Sequence, residues 1–525
     1  MRILFHSFIF SVAAVLMAAA TASAAQPSAQ SILENRCGAC HEKTADGYAR
    51  IKDIRKTPEG WDMSILRMKQ WHGVEIPPGE RAILVKYLAD TQGLAPAETA
   101  PWRYIFERTP NVVEDKTNRK RYEMCGRCHS LARPSVQRRD EDEWRKLANT
   151  HLGQFVTAEY QALARDREWW RIARDEMPVE LAKAFPFNTP EWTAWKAHKK
   201  ADLSGSWAVS GERPGTGRYA GTAQIKRSGP DRYTITYALT YADGQRLVGI
   251  SEANVFTGYE WRGTGRLGDE NINEVYALSE DGQTLAGRWF LSNADEIGGR
   301  FTARRIGAGA LVSAVEPPYL RAGESATVRI YGANLATGAV RLGKGVKVKI
   351  VKRSDTLVVV RAKAGKRALG RHAVSVGAAQ ADGGLVVYDK IDHLRVEPPF
   401  AIARLGGGTL HPVTAQFDAV AYLNGPDGAA NTDDDIRLGA MPATWSVANF
   451  DATAERLKDT DFAGRMQPNG LFVPALAGPN PARPFHTNNA GNMKVTAEVR
   501  DGKQTLHGDG QLIVTVQRWN NPPLR

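Results

Sequence analysis

The chain has 525 residues, of which 42 % are hydrophobic and 24 % charged, and its formal net charge is +12. At about 100–200 residues per domain, this length predicts three to five domains, and the composition is that of a globular protein with real cores. The excess of basic residues does not by itself indicate nucleic-acid binding. An acidic protein partner, or buried acidic groups of a cofactor, is the more plausible target of this charge.

The first 24 residues have the features of a secretory signal peptide. Arg2 supplies a positive end, residues 3–20 are mostly apolar, and Ala22-Ser23-Ala24 offers small residues for cleavage before Ala25. No later stretch has the length of a transmembrane helix. We therefore expect an exported protein with no membrane span and no nucleic-acid partner.

Two copies of the motif C-x-x-C-H follow, and they contain all four cysteines of the chain. This motif is typical of covalent haem attachment, in which two thiols join the porphyrin and the histidine ligates its iron. A zinc site or a redox dithiol would not require a histidine at the same offset in both copies. The sequence therefore predicts two haem c groups, attached through Cys37, Cys40, Cys125 and Cys128 and ligated by His41 and His129.

A second iron ligand should follow each motif. Aligning Trp61 with Trp144 places Met68 opposite His151, each seven residues after its tryptophan. Thioether and imidazole both serve as axial haem ligands, so we predict His41/Met68 for the first haem and His129/His151 for the second. The sequence leaves other ligands open: His72 or Met63 at the first haem, and Met177 at the second.

The residues around both motifs predict small helical units. In the stretch GERAILVKYLADTQG, Ile83, Leu84, Tyr87 and Leu88 recur at the spacing of an amphipathic helix that ends near Gly93. The second half repeats such patterns. We interpret residues 25–112 and 113–199 as duplicated cytochrome c units, each enclosing one haem.

From residue 200 the hydrophobic pattern changes from a helical to a strand period. Tyr233, Ile235 and Tyr237 alternate with polar residues before a turn at Asp243-Gly244, and a second turn is expected at Asp281-Gly282. The pattern at 200–307 indicates an antiparallel β-barrel or sandwich, of which we predict the barrel. Immunoglobulin-like β-sandwiches are predicted at 308–397 and 398–525. The fold class is therefore multidomain α plus β, with an N-terminal all-α dihaem domain.

An acidic loop at 424–435 raises the question of calcium. Asp427, Asn431, Asp433 and Asp435 could supply oxygen ligands, but the loop lacks the EF-hand spacing and its final glutamate. A solvated turn is the favoured interpretation. No group of side chains resembling a catalytic centre stands out, so no catalytic residue is predicted.

The order of these features resembles the α subunit of quinohemoprotein amine dehydrogenase over essentially the whole mature chain. The resemblance is carried by the two C-x-x-C-H motifs, the entry LSGSWAVSGERPGTGRYAG to the barrel, and the two β units that follow. It implies a periplasmic heterotrimer with a propeller β subunit and a small γ subunit that bears a cysteine tryptophylquinone. That quinone would oxidise primary amines, and the α subunit would pass the electrons to a soluble cytochrome c or blue copper protein.

Two other classes of function compete with electron transfer. A dihaem c-type peroxidase-like or maturation enzyme would need one iron with an open position, so ligand binding by the haems distinguishes it. A purely structural or adhesion protein is suggested by the β domains but does not explain two haem motifs.

Overall fold

The computed structural model describes residues 26–155 and 166–516. The predicted signal peptide, residues 1–24, lies outside the described residues. Within the described ranges, no helix combines the length and the apolar character that crossing a bilayer requires.

The N-terminal region is helical, as the sequence predicts. Short strands β1 (Lys43–Thr44), β2 (Gly47–Tyr48), β3 (Ile54–Lys56) and β4 (Gln137–Arg139) lie among its helices. The helices are α1 (Ala29–Ile32), α2 (Pro58–His72), α3 (Pro78–Thr91), α4 (Pro96–Thr99), α5 (Arg119–Arg121), α6 (Ala132–Ser135), α7 (Glu141–Gln154), α8 (Trp169–Asp175), α9 (Met177–Ala184) and α10 (Pro190–Ala197).

Helices α2 and α7 begin in the same way. The side chain of Thr57 accepts a hydrogen bond from the Gly60 N–H, and that of Asp140 accepts one from the Glu143 N–H, which caps both first turns. Trp61 and Trp144 are each the fourth residue of their helix, and both are buried. The two helices are therefore equivalent in the two halves of the region.

A buried ion-pair cluster joins the two halves. Strands β3 and β4 pair antiparallel, with Arg55 opposite Arg138. Both guanidinium groups donate to the carboxylate of Glu98, at 2.9 Å each. All three side chains are buried.

The second domain is a closed antiparallel barrel, which confirms the predicted fold class. Its strands are β5 (Gly205–Arg213), β6 (Gly217–Gly229), β7 (Arg232–Tyr241), β8 (Arg246–Phe256), β9 (Glu260–Leu267), β10 (Glu270–Leu278), β11 (Thr284–Leu291) and β12 (Ala294–Arg305). Large aromatic residues fill the interior, among them Trp207, Trp261 and Trp289. Gly244 and Gly282 adopt positive φ in the hairpins after β7 and β10, where the sequence predicts turns.

The barrel is fixed to the first helical unit by polar and charged contacts. Arg262 donates to Glu59 of α2 at 2.5 Å, and Arg103 donates to the buried Glu260 at 3.0 Å. The Thr257 N–H donates to Asp90 at 2.6 Å. The barrel thereby holds α2 and α3 in position.

The third domain consists of two sheets that face each other across one core. One sheet has the strand order β13-β15-β18-β17 and the other β14-β22-β19, with a small sheet β16-β20-β21 beside them. The strands are β13 (Leu311–Glu316), β14 (Tyr319–Arg321), β15 (Ser325–Ala333), β16 (Val340–Arg341), β17 (Val346–Arg353), β18 (Leu357–Ala364), β19 (Gly370–His372), β20 (Ser375–Val376), β21 (Ala379–Gln380) and β22 (Leu385–Tyr388).

The fourth domain is also built from packed sheets, ordered β23-β26-β27, β24-β32-β31-β28 and β25-β30-β29. Its elements are β23 (His393–Glu397), β24 (Phe400–Arg404), β25 (Ala415–Gln416), β26 (Asp418–Leu423), β27 (Ile436–Met441), β28 (Thr444–Asn449), α11 (Ala452–Leu457), α12 (Asp459–Phe462), β29 (Gly464–Met466), β30 (Leu471–Pro474), β31 (Gly491–Asp501) and β32 (Gln504–Thr515). A core around Phe417 and Phe472 continues into Tyr388 of the third domain.

Candidate functional site

The two C-x-x-C-H motifs form the same turn. The backbone N–H groups of Cys40 and His41 donate to the Cys37 carbonyl, at 3.1 and 2.9 Å. Those of Cys128 and His129 donate to the Cys125 carbonyl, at 3.2 and 3.3 Å. In each motif the first cysteine is partly buried and the second is exposed, and the two are not joined by a disulfide.

The burial of the first cysteines argues against a redox dithiol. Burial raises the pKa of the Cys37 thiol and raises that of Cys125 to about 12. A redox dithiol needs one thiol that readily ionises near neutral pH, in an electropositive and accessible environment. Neither first cysteine has that property.

The two cysteine pairs also lie in different cores. Cys37 packs against the core that contains Trp61 and Leu84, whereas Cys125 packs against the core that contains Trp144 and Leu181. In residues 26–155 and 166–516, no group of three or more histidine, cysteine or acidic side chains is arranged to hold a metal ion. The pairs are therefore separate sites, each within its own helical unit.

The structure brings the rings of His129 and His151 close together. Their ring centres are 6.5 Å apart, with the ring planes inclined by 42°. A metal–imidazole bond is about 2.0 Å long and the bonding nitrogen lies about 1.1 Å from the ring centre, so two imidazoles on opposite sides of one metal have centres about 6.2 Å apart. The spacing of the two rings fits one iron between them.

Hydrogen bonds fix the orientation of all three predicted histidines. The Nδ1 atom of His41 is 2.9 Å from the Ala49 carbonyl oxygen, that of His129 is 2.9 Å from the Ser130 carbonyl, and that of His151 is 2.8 Å from the Leu147 carbonyl. Metal-binding histidines commonly donate their second ring nitrogen in this way. In each ring, Nε2 is left as the coordinating atom.

The second site is dry and contains an unused donor. Burial lowers the pKa of His129 to about 4 and also lowers that of His151, so both rings are neutral at neutral pH, as metal ligands must be. Trp169 packs beside His151, with ring centres 6.4 Å apart. Trp144 Nε1 is buried with no hydrogen-bond partner among the described residues, a donor that a polar group of a cofactor could use.

At the first site, Met68 lies on the inner face of α2. It follows Trp61 by seven residues and Ile65 by three, and both of these side chains are buried in the core that Cys37 contacts. Met68 is itself half-buried, whereas His72 is exposed. Met63 lies on another side of the helix. Met68 therefore lies on the side of α2 that packs toward the Cys37 core, and its role as a ligand stays a prediction.

Met177, the alternative ligand at the second site, is buried in the core that Cys125 contacts. It begins α9 and packs with Met124 and Trp144. Met177 therefore lies near the second site, but the side chain whose ring lies close to that of His129 is His151.

Ion pairs offset part of the positive charge around the second motif. Residues 118–139 contain seven basic residues and one acid. Six of the seven form ion pairs: Arg119–Glu123, Lys120–Glu176, Arg121–Glu180, Arg127–Asp166, Arg138–Glu98 and Arg139–Glu143. The seventh, Arg133, forms no ion pair with a carboxylate of the described chain, and burial lowers its pKa. Most of these acids lie far along the sequence, so a local charge count could not reveal them.

Arg67 is a residue that the sequence analysis missed. It precedes Met68 on α2 and stacks on Trp71, with 5.6 Å between the guanidinium carbon and the ring centre. Burial, followed by the charge of Arg133, lowers its pKa. Arg67 and Arg133, one from each helical unit, are therefore neighbouring cations. Both arginines also act electrostatically on His151, and they can bind acidic groups of a cofactor.

The acidic loop of the fourth domain already holds a cation. Arg395 donates to Asn431 at 3.0 Å and to the carboxylate of Asp435, which is almost fully buried. The Asp435 carboxylate also accepts bonds from the N–H groups of Asn431 and Thr432. The Arg395 guanidinium therefore balances the charge of Asp435, while the second carboxylate oxygen, Oδ1, is buried with no hydrogen-bond partner among the described residues.

Four family models match the chain. They describe the haem-binding domain of the quinohemoprotein amine dehydrogenase α subunit at residues 27–192, and domains II, III and IV of that subunit at 200–306, 309–389 and 394–524. No curated protein matches the chain.

Two solved structures illustrate the structural likenesses. The redesigned β-barrel mFAP1 bound to DFHBI matches 20 % of this chain and 94 % of its own, at 18 % identity and a TM-score of 0.17. Mouse clustered PcdhgC3 EC1-3 matches 45 % of this chain and 76 % of its own, at 11 % identity and a TM-score of 0.17. Scores this low carry no argument about this chain.

Proposed function

The chain belongs to the family of quinohemoprotein amine dehydrogenase α subunits, and on that premise we propose that it is the dihaem electron-transfer subunit of a periplasmic amine dehydrogenase. It would receive electrons from a cysteine tryptophylquinone on a small γ subunit, which is reduced by primary amines. A propeller β subunit would complete the heterotrimer. The electrons would leave to a soluble cytochrome c or blue copper protein.

The observation that carries this proposal is the opposed pair His129 and His151, 6.5 Å between ring centres, next to a C-x-x-C-H turn. When bound, haem would supply one-electron chemistry, and an iron held by two side chains of this chain would leave no open position. Such a site would suit an electron carrier. It would not suit a peroxidase-like enzyme, which must bind its substrate at the iron.

This chain's own residues would hold and orient the two groups. Cys37 and Cys40 would attach the first haem, and Cys125 and Cys128 the second. His41 and Met68 would ligate the first iron, and His129 and His151 the second. The carbonyl groups of Ala49, Ser130 and Leu147 would keep the imidazoles in place through their Nδ1 atoms.

Haem content provides the first test. We expect the mature protein to keep two haems after acid–acetone extraction and to show no reactive thiols. Release of free haem, or titration of four thiols, would refute covalent attachment.

Coordination provides the second test. The oxidised protein should be low-spin at both haems and should not change its absorption spectrum with cyanide or peroxide. A high-spin haem that binds either ligand would favour the peroxidase-like alternative. Co-purification with a propeller subunit and a small quinone-bearing subunit tests the assembly. A chain that stays monomeric in extracts of its native host at every salt concentration would contradict it.

A further inference from the structure

Nearly all the net charge of the chain lies in one segment of the third domain. Residues 340–371 contain 11 basic residues and one acid, Asp355, a net charge of +10. The rest of the chain has 58 basic and 56 acidic residues (69 − 11 and 57 − 1), a net charge of +2. The basic character of the protein is therefore a local property, and it lies outside the helical units that carry the haem motifs.

Strand register gathers much of this charge on one surface. Lys347 lies opposite Lys363, and Lys349 lies opposite Arg361, in the antiparallel pair β17–β18. The inward positions between them, Val348 and Ala362, face the core of the domain. We call the exposed set the basic face: Lys347, Lys349, Lys352, Arg361 and Lys363.

The basic face destabilises the folded domain, so its cations are not there to stabilise the fold. Like charges directly opposite each other destabilise an antiparallel pair, and here two such pairs lie side by side. Lysines on β17 could serve to discourage edge-to-edge aggregation, since β17 is the edge strand of its sheet. That explanation does not apply to Arg361 and Lys363, because β18 lies inside the sheet. No carboxylate of the described ranges forms an ion pair with any of the five cations.

One exposed aliphatic side chain accompanies the cations. The ladder register shifts between Ile350 and Lys352, and at this bulge Val351, next to Lys352, is 66 % exposed. Ile350 lies opposite the buried Val360 and belongs to the other side of the sheet. Permanent protein interfaces are poor in lysine. Basic residues beside exposed aliphatic ones are instead typical of surfaces that bind anionic lipid, whose headgroups are mobile and can match closely spaced cations.

We propose that the basic face binds an anionic lipid surface. The five cations contact phosphate headgroups, and Val351 enters the interfacial layer. This inference does not depend on the proposed electron-transfer function. The described part of the protein has no membrane-spanning helix. Lipid binding would nevertheless hold the protein at a membrane surface, where membrane-associated partners are concentrated.

The test is co-sedimentation of the full-length, haem-loaded protein with vesicles. We expect binding to phosphatidylcholine vesicles that contain 30 % phosphatidylglycerol, loss of binding in high salt, and none to pure phosphatidylcholine. The variant K347Q/K349Q/R361Q/K363Q should bind at least about 100-fold more weakly, because each basic residue near an anionic membrane strengthens binding about fivefold. V351S should weaken binding at every salt concentration.

A matched variant controls for total charge. K226Q/R232Q/R246Q/R266Q removes four exposed cations from the barrel and should bind vesicles like the unsubstituted protein. Inorganic phosphate should compete no better than chloride at equal ionic strength. Equal loss in both quadruple variants, or the absence of vesicle binding, would overturn the proposal. So would recovery of an acidic protein on the basic face without lipid binding. Unchanged circular dichroism and haem spectra verify that each variant is folded.

Discussion

Glu98→Gln removes the only negative charge from the cluster that joins the two helical units. The Glu98 carboxylate accepts hydrogen bonds from Arg55 Nη1 and Nη2 and from Arg138 Nε, each at 2.9 Å. It also accepts from the Thr189 hydroxyl at 3.0 Å and the Ala95 N–H at 2.8 Å. An amide keeps the size of the side chain but leaves two arginines buried without a counter-charge.

The expected loss of stability is large. Breaking a buried ion pair by removing one partner costs about 3–5 kcal/mol, because the remaining charge stays desolvated. Glu98 is 7 % exposed, Arg55 2 % and Arg138 6 %, so water cannot replace the lost carboxylate. We therefore expect Glu98→Gln to lower the free energy of unfolding by about 3–5 kcal/mol.

The effect should also depend on pH. Burial by itself raises the pKa of Glu98, but the hydrogen bonds from Arg55 and the charges of Arg138 and Arg55 together lower it below its ordinary value of 4.5. A lowered folded-state pKa stabilises the protein above the unfolded-state pKa, and that stabilisation is lost as the pH falls through the folded-state value. The difference between the two proteins should shrink at acid pH.

Urea unfolding of the haem-loaded protein, followed by circular dichroism in the haem band and in the far ultraviolet, measures this change. Glu168→Gln is the control, because Glu168 and Arg171 form an exposed pair at 2.9 Å whose loss should cost less than about 1 kcal/mol. A loss in Glu98→Gln no greater than in the control would refute the reasoning.

Three further predictions concern potential, pH and calcium. Methionine raises a haem potential relative to a second imidazole, so the His129/His151 haem should have the lower potential, Met68→His should lower the first midpoint, and His151→Met should raise the second. Redox titration with low-temperature spectroscopy decides this, and unchanged midpoints in Met68→His would make His72 the next candidate. Burial raises the pKa of Asp418 to about 6, although the Gly215 N–H donates to it at 2.8 Å. The stability that this group contributes is therefore present below the unfolded-state pKa of 3.8 and is lost as the pH rises through 6, by up to about 3 kcal/mol. Urea unfolding at pH 4.5 and 7.5 should show a smaller change in the free energy of unfolding in Asp418→Asn than in the unsubstituted protein. An equal change in both proteins would be evidence against this effect. Because Arg395 occupies the acidic loop, calcium should not raise the melting temperature, and a calcium-dependent increase would contradict that assignment.

The sequence predicted the fold class well because helix and strand periodicity and turn residues are read from neighbouring positions in the chain. The alternation through Tyr233, Ile235 and Tyr237 follows directly from the pleat of a strand with one face in the core. The turn at Asp243-Gly244 is also local. Closure of eight strands into one barrel depends on pairing between β5 and β12, about ninety residues apart, and the strand pattern in the sequence was equally compatible with a sandwich.

In the candidate sites, too, local features were predicted from the sequence and long-range contacts were not. The cysteines and proximal histidines follow from motif spacing, and the comparison of the two halves selected His151, whose ring faces His129. The charges around the sites could not be predicted in this way. Arg127 pairs with Asp166 and Arg138 with Glu98, 39 and 40 residues away. A count of neighbouring residues overestimated the positive charge at the second site, and the role of Arg67 appears only when the two units pack together.

Electron delivery from the amine to this subunit is the central claim, and anaerobic stopped-flow spectroscopy of the purified complex tests it most directly. Mixing the oxidised complex with a primary amine should reduce the quinone first and then both haems of this chain, with the two haem absorbance changes together accounting for two electrons. The isolated chain mixed with the same amine should not change. Haems that stay oxidised in the complex while the quinone is reduced would contradict the account.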